Sequence, residues 1–168
     1  VGKVFLKGVE PRQYHEPRHV AAALTGAESP RNWDVDVQSP CNFFTAKGIV
    51  SSLESALRLP RLSFEPGTHV GMHPGRCADI ICSGESVGYV AEVDPDWVLN
   101  TLDAPSNTGR VAVLELDLDA LQRLRLRTVR YVEPSRFPSV SRDLAVVVDS
   151  DLAYGVIDNT IRAAGESR

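Results

Sequence analysis

The spacing of apolar positions changes several times along the chain, and each change marks an element. Near the start, "GKVFLKG" alternates Val4 and Leu6 with Phe5 and Lys7 between two glycines, which predicts a short strand. "HVAAALTG" is a second strand candidate, although its alanines also allow helix. Residues 25–40, rich in Gly, Ser, Pro and Asn, read as loop. From Lys47 the period lengthens: Ile49, Val50, Leu53, Ala56 and Leu57 share one helical face, and Pro60 closes the pattern. Residues 60–75 are dense in Pro and Gly and predict a long turn-rich loop.

"ADIICSGESVGYVAEV" is two apolar runs around "SGES", a hairpin whose glycine can take a positive φ. "DPDWVLNTLD" reads as a short helix or turn, "RVAVLELD" as a strand, and "LDALQRL" as a brief helix N-capped by Asp117. A break near residue 127 divides the chain into 1–127 and 128–168. Beyond it, Leu144–Val148 is an apolar run without alternation and predicts a strand buried on both faces. A helix over 152–164 follows, with Asp151 as N-cap, Ile157, Ile161 and Ala164 as its apolar stripe and Gly165 as its stop. One strand and one helix cannot close a core of their own, so this second piece reads as part of a larger unit.

Composition narrows the class. At 43% hydrophobic and 24% charged, the chain has enough apolar material for a globular core. No apolar run is long enough to cross a membrane, the N-terminal segment lacks the basic-then-apolar build of a signal peptide, and a cytoplasmic location is the default. Cys41, Cys77 and Cys82 form no disulfide framework and read as reduced thiols. Net charge is −4, yet residues 123–142 carry six arginines against Glu133 alone. Overall acidity argues against non-specific nucleic-acid binding, while that block leaves a local phosphate contact open beside the plainer reading of a solvated face.

Catalytic signatures are sparse. His69, His73, Cys77 and Cys82 lie within fourteen residues, but their spacing matches no zinc pattern, and no metal site is assigned. Neither phosphate-cradling glycine motif occurs, and no G-x-S-x-G elbow appears. Asp94, Asp96, Glu115, Asp117 and Asp119 fit caps and solvated ends better than an acid–base set. No catalytic residue is therefore assigned.

Four segments occur in an ordered series: "NFFTAKG" (42–48), "HPGRCA" (73–78), "GYVAEVDP" (88–95) and "RFPSVSRDLAVVV" (136–148). Together they resemble the C-terminal part of the bacterial phenylalanyl-tRNA synthetase beta subunit over nearly the whole chain. The resemblance implies an α+β fold. Residues 1–127 would be the late part of a catalytic-like, non-catalytic domain, an antiparallel sheet with helices of class II synthetase type. Residues 128–168 would be the truncated start of a ferredoxin-like anticodon-binding domain, one β-α unit of it. It further implies an alpha subunit partner in an (αβ)2 heterotetramer, tRNA(Phe) as RNA partner, ATP and Mg2+ for the whole enzyme with no cofactor in this piece, and an editing site in an earlier part of the beta chain.

By the same resemblance Arg130, Arg136 and Arg142 become candidates for tRNA contact, and Phe43, Phe44, Lys47, His73 and Arg76 for subunit contact. Arg142, beside Asp143, also reads as a paired side chain at the mouth of the strand. Family members often carry "DFFDLKG" where this chain has Asn42 and Thr45, and "GELHP" where it has Ala91, Val93 and Asp94. The competing expectations are a stand-alone metal-binding or hydrolytic domain using His69, His73 and Cys77, and a purely structural interaction module.

Overall fold

The computed structural model describes residues 1–8, 13–30, 33, 39–102, 104–105, 108–124, 131, 133 and 136–166. The chain divides into two compact units, Val1–Arg127 and Thr128–Arg168.

The first unit is built on β1 (Gly2–Lys3), β2 (Leu6–Lys7), β3 (Tyr14–His15), β4 (Arg18–Thr25), α1 (Phe43–Leu57), β5 (Leu62–Pro66), β6 (Met72–Cys82), β7 (Glu85–Val93), α2 (Pro95–Asn100), β8 (Val111–Asp117) and α3 (Leu118–Leu124). Six strands form one antiparallel sheet in the order β1-β4-β8-β7-β6-β5, and β2 pairs with β3 apart from it. The architecture is α+β with an antiparallel sheet, as the resemblance implies.

Alternation decides which face is covered. On β8, Ala112, Leu114 and Leu116 are buried, while the residues between them are only partly so. These side chains join Ala78, Ile80, Cys82 and Val90 of the neighbouring strands in a core closed by Ala46 and Val50 of α1 and by Ala120 and Leu121 of α3. The opposite face holds polar pairs. His19 Nδ1 lies 2.7 Å from Glu115 Oε1, His69 Nε2 lies 2.7 Å from Asp79 Oδ1, and the His69 ring stacks on Tyr89 at 4.1 Å. Burial, and then the Glu115 carboxylate, push the Tyr89 phenol up.

Several expectations hold in detail. β6 and β7 form the hairpin, turned by Ser83 and Gly84 with φ of 52° and 83°. Two successive positive φ values match the right-handed twist of the flanking strands, and glycine takes the second without penalty. "HVAAALTG" is strand. Asp117 caps α3, its Oδ1 accepting from the Asp119 and Ala120 amides, each at 2.9 Å. All three cysteines are free and buried, Cys82 within the core.

Other expectations are corrected. The first predicted strand splits into β1 and β2. The predicted loop over 60–75 contains β5 and the start of β6. Its prolines bracket an edge strand, where a missing N–H faces no partner. Predicted loop residues 34–38 lie outside the described residues.

In the second unit, Leu144–Val148 forms no strand and is exposed: Leu144 at 77% and Val147 at 102%. An apolar run becomes a strand only by pairing, and among the described residues nothing pairs with it. Helix α4 spans Tyr154–Glu166, later than expected. A turn precedes it, closed by Leu152 N–H donating to the Asp149 carbonyl at 3.1 Å, so Asp151 does not occupy the cap. Gly165 lies inside the helix rather than stopping it, and Ile161, on the expected apolar stripe, is exposed.

Candidate functional site

Asn42 starts α1. With extended φ and ψ of −150° and −175°, it points its side chain at the free end of the helix, and Oδ1 accepts from Phe44 N–H at 2.8 Å and Thr45 N–H at 3.2 Å. Thr45 Oγ1 accepts in return from the Asn42 amide at 3.1 Å. This reciprocal capping box, with the added Phe44 bond, satisfies three of the four orphan donors of the helix start using uncharged side chains. Asn42 and Thr45 thus cap the helix with uncharged side chains, while carboxylates reach the same turn from elsewhere: Thr45 Oγ1 donates to Glu28 Oε1 at 2.5 Å.

The remaining amide of that first turn, Phe43 N–H, donates to Glu92 Oε1 at 2.9 Å. Glu92 lies on β7, is only 2% exposed, and is the one charged side chain found buried among the described residues. Arg76 Nε stands 2.6 Å from Glu92 Oε2. The N–H is not directed at the oxygen, so the contact is a close ion pair and Nε is left without a hydrogen bond. Arg110 Nη1, at the approach to β8, stands 3.9 Å from Glu92 Oε1. One carboxylate therefore joins the α1 entrance, β6, β7 and the approach to β8.

Arg76 reaches Glu92 because β6 bulges. Between the pairs Met72↔Val93 and Cys77↔Ala91, five steps on β6 match two on β7, and His73, Pro74, Gly75 and Arg76 stand out of the ladder. His73 Nδ1 accepts from the Gly75 amide at 3.0 Å and rigidifies the bulge. Next to it, Asp94 caps α2 by accepting from Asp96 N–H at 2.8 Å, and Pro95 occupies the first turn.

The subunit-contact candidates are thus brought together in part. Phe43 is half-buried against the core, and Phe44, edge-on to it at 5.4 Å, is 73% exposed. Lys47 holds its ammonium 4.4 Å over the Phe64 ring and is engaged within the unit. His73 and Arg76 lie in the bulge, Arg76 bound to Glu92. Glu92 itself was missed. A lone carboxylate inside the apolar run "YVAEV" was the signal, because such a residue is buried only with a partner.

The tRNA candidates are not gathered into one site. Arg136 is exposed and pairs with Glu133 at 3.2 Å. Arg142 is exposed, and no ion pair joins it to Asp143, so the expected pairing is absent. Adjacent side chains on an unpaired segment diverge, which leaves nothing to hold that pair. Arg130 lies outside the described residues, as do Arg125 and Arg127. Arg123 is bound to Glu85 at 2.7 Å.

The residues of the metal-binding alternative are spent elsewhere, His69 on Asp79 and Tyr89, and His73 on its own turn. Among the described residues no three His, Cys, Asp or Glu side chains converge in a metal-sized group.

Residues 1–118 match the family described as the phenylalanyl tRNA synthetase beta chain CLM domain. The chain belongs to this family. Relatives similar to it extend the match. The phenylalanine–tRNA ligase beta subunit of Bacillus licheniformis is 34% identical over 98% of this chain, and that of Symbiobacterium thermophilum is 38% identical over 89%. The Bacillus subtilis subunit is 33% identical over 98%. This chain spans 20% of the length of the two Bacillus subunits and 16% of the third. Family membership disfavours the stand-alone metal or hydrolytic domain. No helix among the described residues is long and apolar enough to cross a membrane.

Proposed function

We propose that this chain is the C-terminal part of a phenylalanine–tRNA ligase beta subunit and serves aminoacylation of tRNA(Phe) through subunit assembly and tRNA binding, without an active site of its own. Residues 1–127 are the late part of a catalytic-like domain of class II type, and residues 128–168 begin a ferredoxin-like anticodon-binding domain. The alpha subunit, in an (αβ)2 heterotetramer in the cytoplasm, forms the aminoacyl-adenylate with ATP and Mg2+.

One observation carries this reading. Three of the motif segments meet on Glu92, so the residues that mark the family hold a surface in shape: Phe44 projects from the α1 entrance, and the His73–Arg76 bulge stands beside it. That surface is the contact proposed for the alpha subunit, and the exposed Arg136 and Arg142, with Arg130, are the contacts proposed for tRNA. The test is co-purification. Tagged alpha subunit should retain the full-length beta subunit, and Phe44→Asp should weaken retention while leaving the thermal midpoint of beta unchanged. Retention undiminished by Phe44→Asp would remove this surface from the interface. The 168-residue piece alone should give phenylalanine-dependent pyrophosphate exchange no faster than background.

A further inference from the structure

β4 is paired along its whole inner side, from His19↔Asp117 to Thr25↔Val111. Its outer side is paired only where β1 covers it, at Gly2↔His19 and Lys3↔Arg18. Among the described residues, Val20–Thr25 carries no outer ladder. This stretch, "VAAALT", has no proline, no charge and no bulge, the devices that blunt an exposed edge. Ala21, Ala22 and Ala23 are exposed, and a hollow of about 370 Å³ borders them. The other edge of the sheet, β5, ends in Pro66 and is blunted by it.

The register of β1 says what fits. Because β1 runs antiparallel to β4, continuing the ladder by one position sets Val1 opposite Val20, and each earlier residue of the same polypeptide one step further towards Thr25. We propose that the outer edge of β4 is a strand-docking site, filled in the full-length protein by the polypeptide that leads into Val1, which lengthens β1 along Val20–Thr25. This rests on the reading of the chain as an internal stretch of a longer beta subunit, in keeping with the 20% of its Bacillus relatives that it spans. The incoming strand supplies backbone donors and acceptors to the edge. Small side chains at Ala21–Ala23 let it lie close, and its alternate residues extend the apolar face formed by Val20 and Leu24.

The register makes the test specific. In the full-length beta subunit, Ala22→Cys is combined with a cysteine at the second residue before Val1, the position directly opposite in the continued ladder. Opposed residues of an antiparallel pair lie within disulfide reach. Moving the second cysteine one residue, to the position just before Val1, turns its side chain to the other face. Mild oxidation should give an intramolecular disulfide in the matched pair with at least about ten times the yield of the shifted pair. Equal yields, or a disulfide linking two beta subunits, would overturn the proposal.

Amide exchange in the unsubstituted full-length protein gives a second reading, free of any folding defect in the cysteine variants. Protection throughout Val20–Thr25 is expected, and rapid exchange of alternate amides overturns the docking. The underlying assignment fails separately and visibly: the gene would then encode no synthetase beta sequence ahead of Val1, or its product would not bind the alpha subunit.

Discussion

A Cβ placed on Gly88 would run into the carbonyl oxygen of Glu115 on the neighbouring strand. The two backbones approach this closely because β7 carries an irregularity there. Ile80 pairs with Gly88, but the next residue, Ile81, pairs with Ser86, so Val87 is accommodated as an extra residue. Gly88 meets the kink with a φ of 150°, a conformation side chains rarely adopt. Gly88→Ala should therefore cost about 3 kcal/mol or more, from backbone strain and strand displacement together. Gly84→Ala, in the adjoining turn with φ 83° but open space around it, should cost only about 1 kcal/mol. Urea midpoints of the two variants check the ranking, and equal losses would contradict it.

The Glu92 cluster predicts an asymmetry. Glu92→Gln keeps the shape but leaves Arg76 without its counter-charge, and breaking a buried pair from one side costs about 3 kcal/mol. Arg76 is partly exposed and can turn to water, so the Gln variant should fall below that figure and Glu92→Ala should reach it. In the Ala variant, which removes the acceptor, hydrogen exchange should rise first at the Phe43 amide, and not at Phe44 or Thr45, whose acceptor is Asn42; the Gln variant keeps an acceptor oxygen and should change less there. Uniform acceleration over the first turn of α1 would show that Glu92 acts on packing rather than on that bond.

Asp119 links α3 to β4. Its carboxylate accepts from the Arg18 backbone N–H at 2.9 Å and from Arg18 Nε at 2.8 Å. The Arg18 backbone bond, then the guanidinium, hold the carboxyl below its usual range. A depressed folded-state value means that the contribution is complete above the unfolded-state pKa and is lost as pH falls through the folded value. Asp119→Asn should therefore lower the thermal midpoint near neutral pH and converge with wild type in strong acid. Arg18→Ala should shrink the same acid-side slope. Curves that stay parallel down to low pH would deny the linkage.

Much of the first unit was legible because its elements are local. The hairpin follows from two apolar runs and a glycine turn, and the helices from an apolar period with a cap at the head. Glu92 was not legible as a hub, since its partners Phe43 and Arg76 are distant in sequence and meet only through strand register and the bulge. β5 was hidden for a related reason. Pro and Gly suppress strand propensity, and only the edge position excuses them. Leu144–Val148 failed in the opposite sense, with strand composition and no partner among the described residues. Arg142 and Asp143 show that adjacency in sequence is not pairing. The family segments were readable, but the roles of Phe44, His73 and the arginines depend on surfaces that one chain does not display.

The absent Arg142–Asp143 pair changes what an arginine substitution should do. Had the two been bound, Arg142→Ala would have weakened the fold. Exposed and unpaired with its neighbour, Arg142 should be replaceable without loss of thermal midpoint. Arg136 is little different, because an exposed i,i+3 pair with Glu133 contributes at most a few tenths of a kcal/mol. Arg142, and Arg136 at the small cost of its Glu133 pair, can thus neutralise phosphate if tRNA approaches this segment as proposed. Each phosphate left without its cation should lower the steepness of log affinity against log salt by about 0.9 on duplex or about 0.7 on single strands. In the assembled enzyme, Arg136→Ala and Arg142→Ala should each flatten the salt dependence of tRNA binding by that amount and weaken binding most at low salt. Arg123→Ala should flatten the slope less, because Glu85 at 2.7 Å competes with phosphate for that guanidinium more closely than Glu133, at 3.2 Å, does for Arg136. If Arg123→Ala flattens the slope and the other two do not, the basic block meets RNA from its first residues, and the segment around Arg136 and Arg142 is a solvated face.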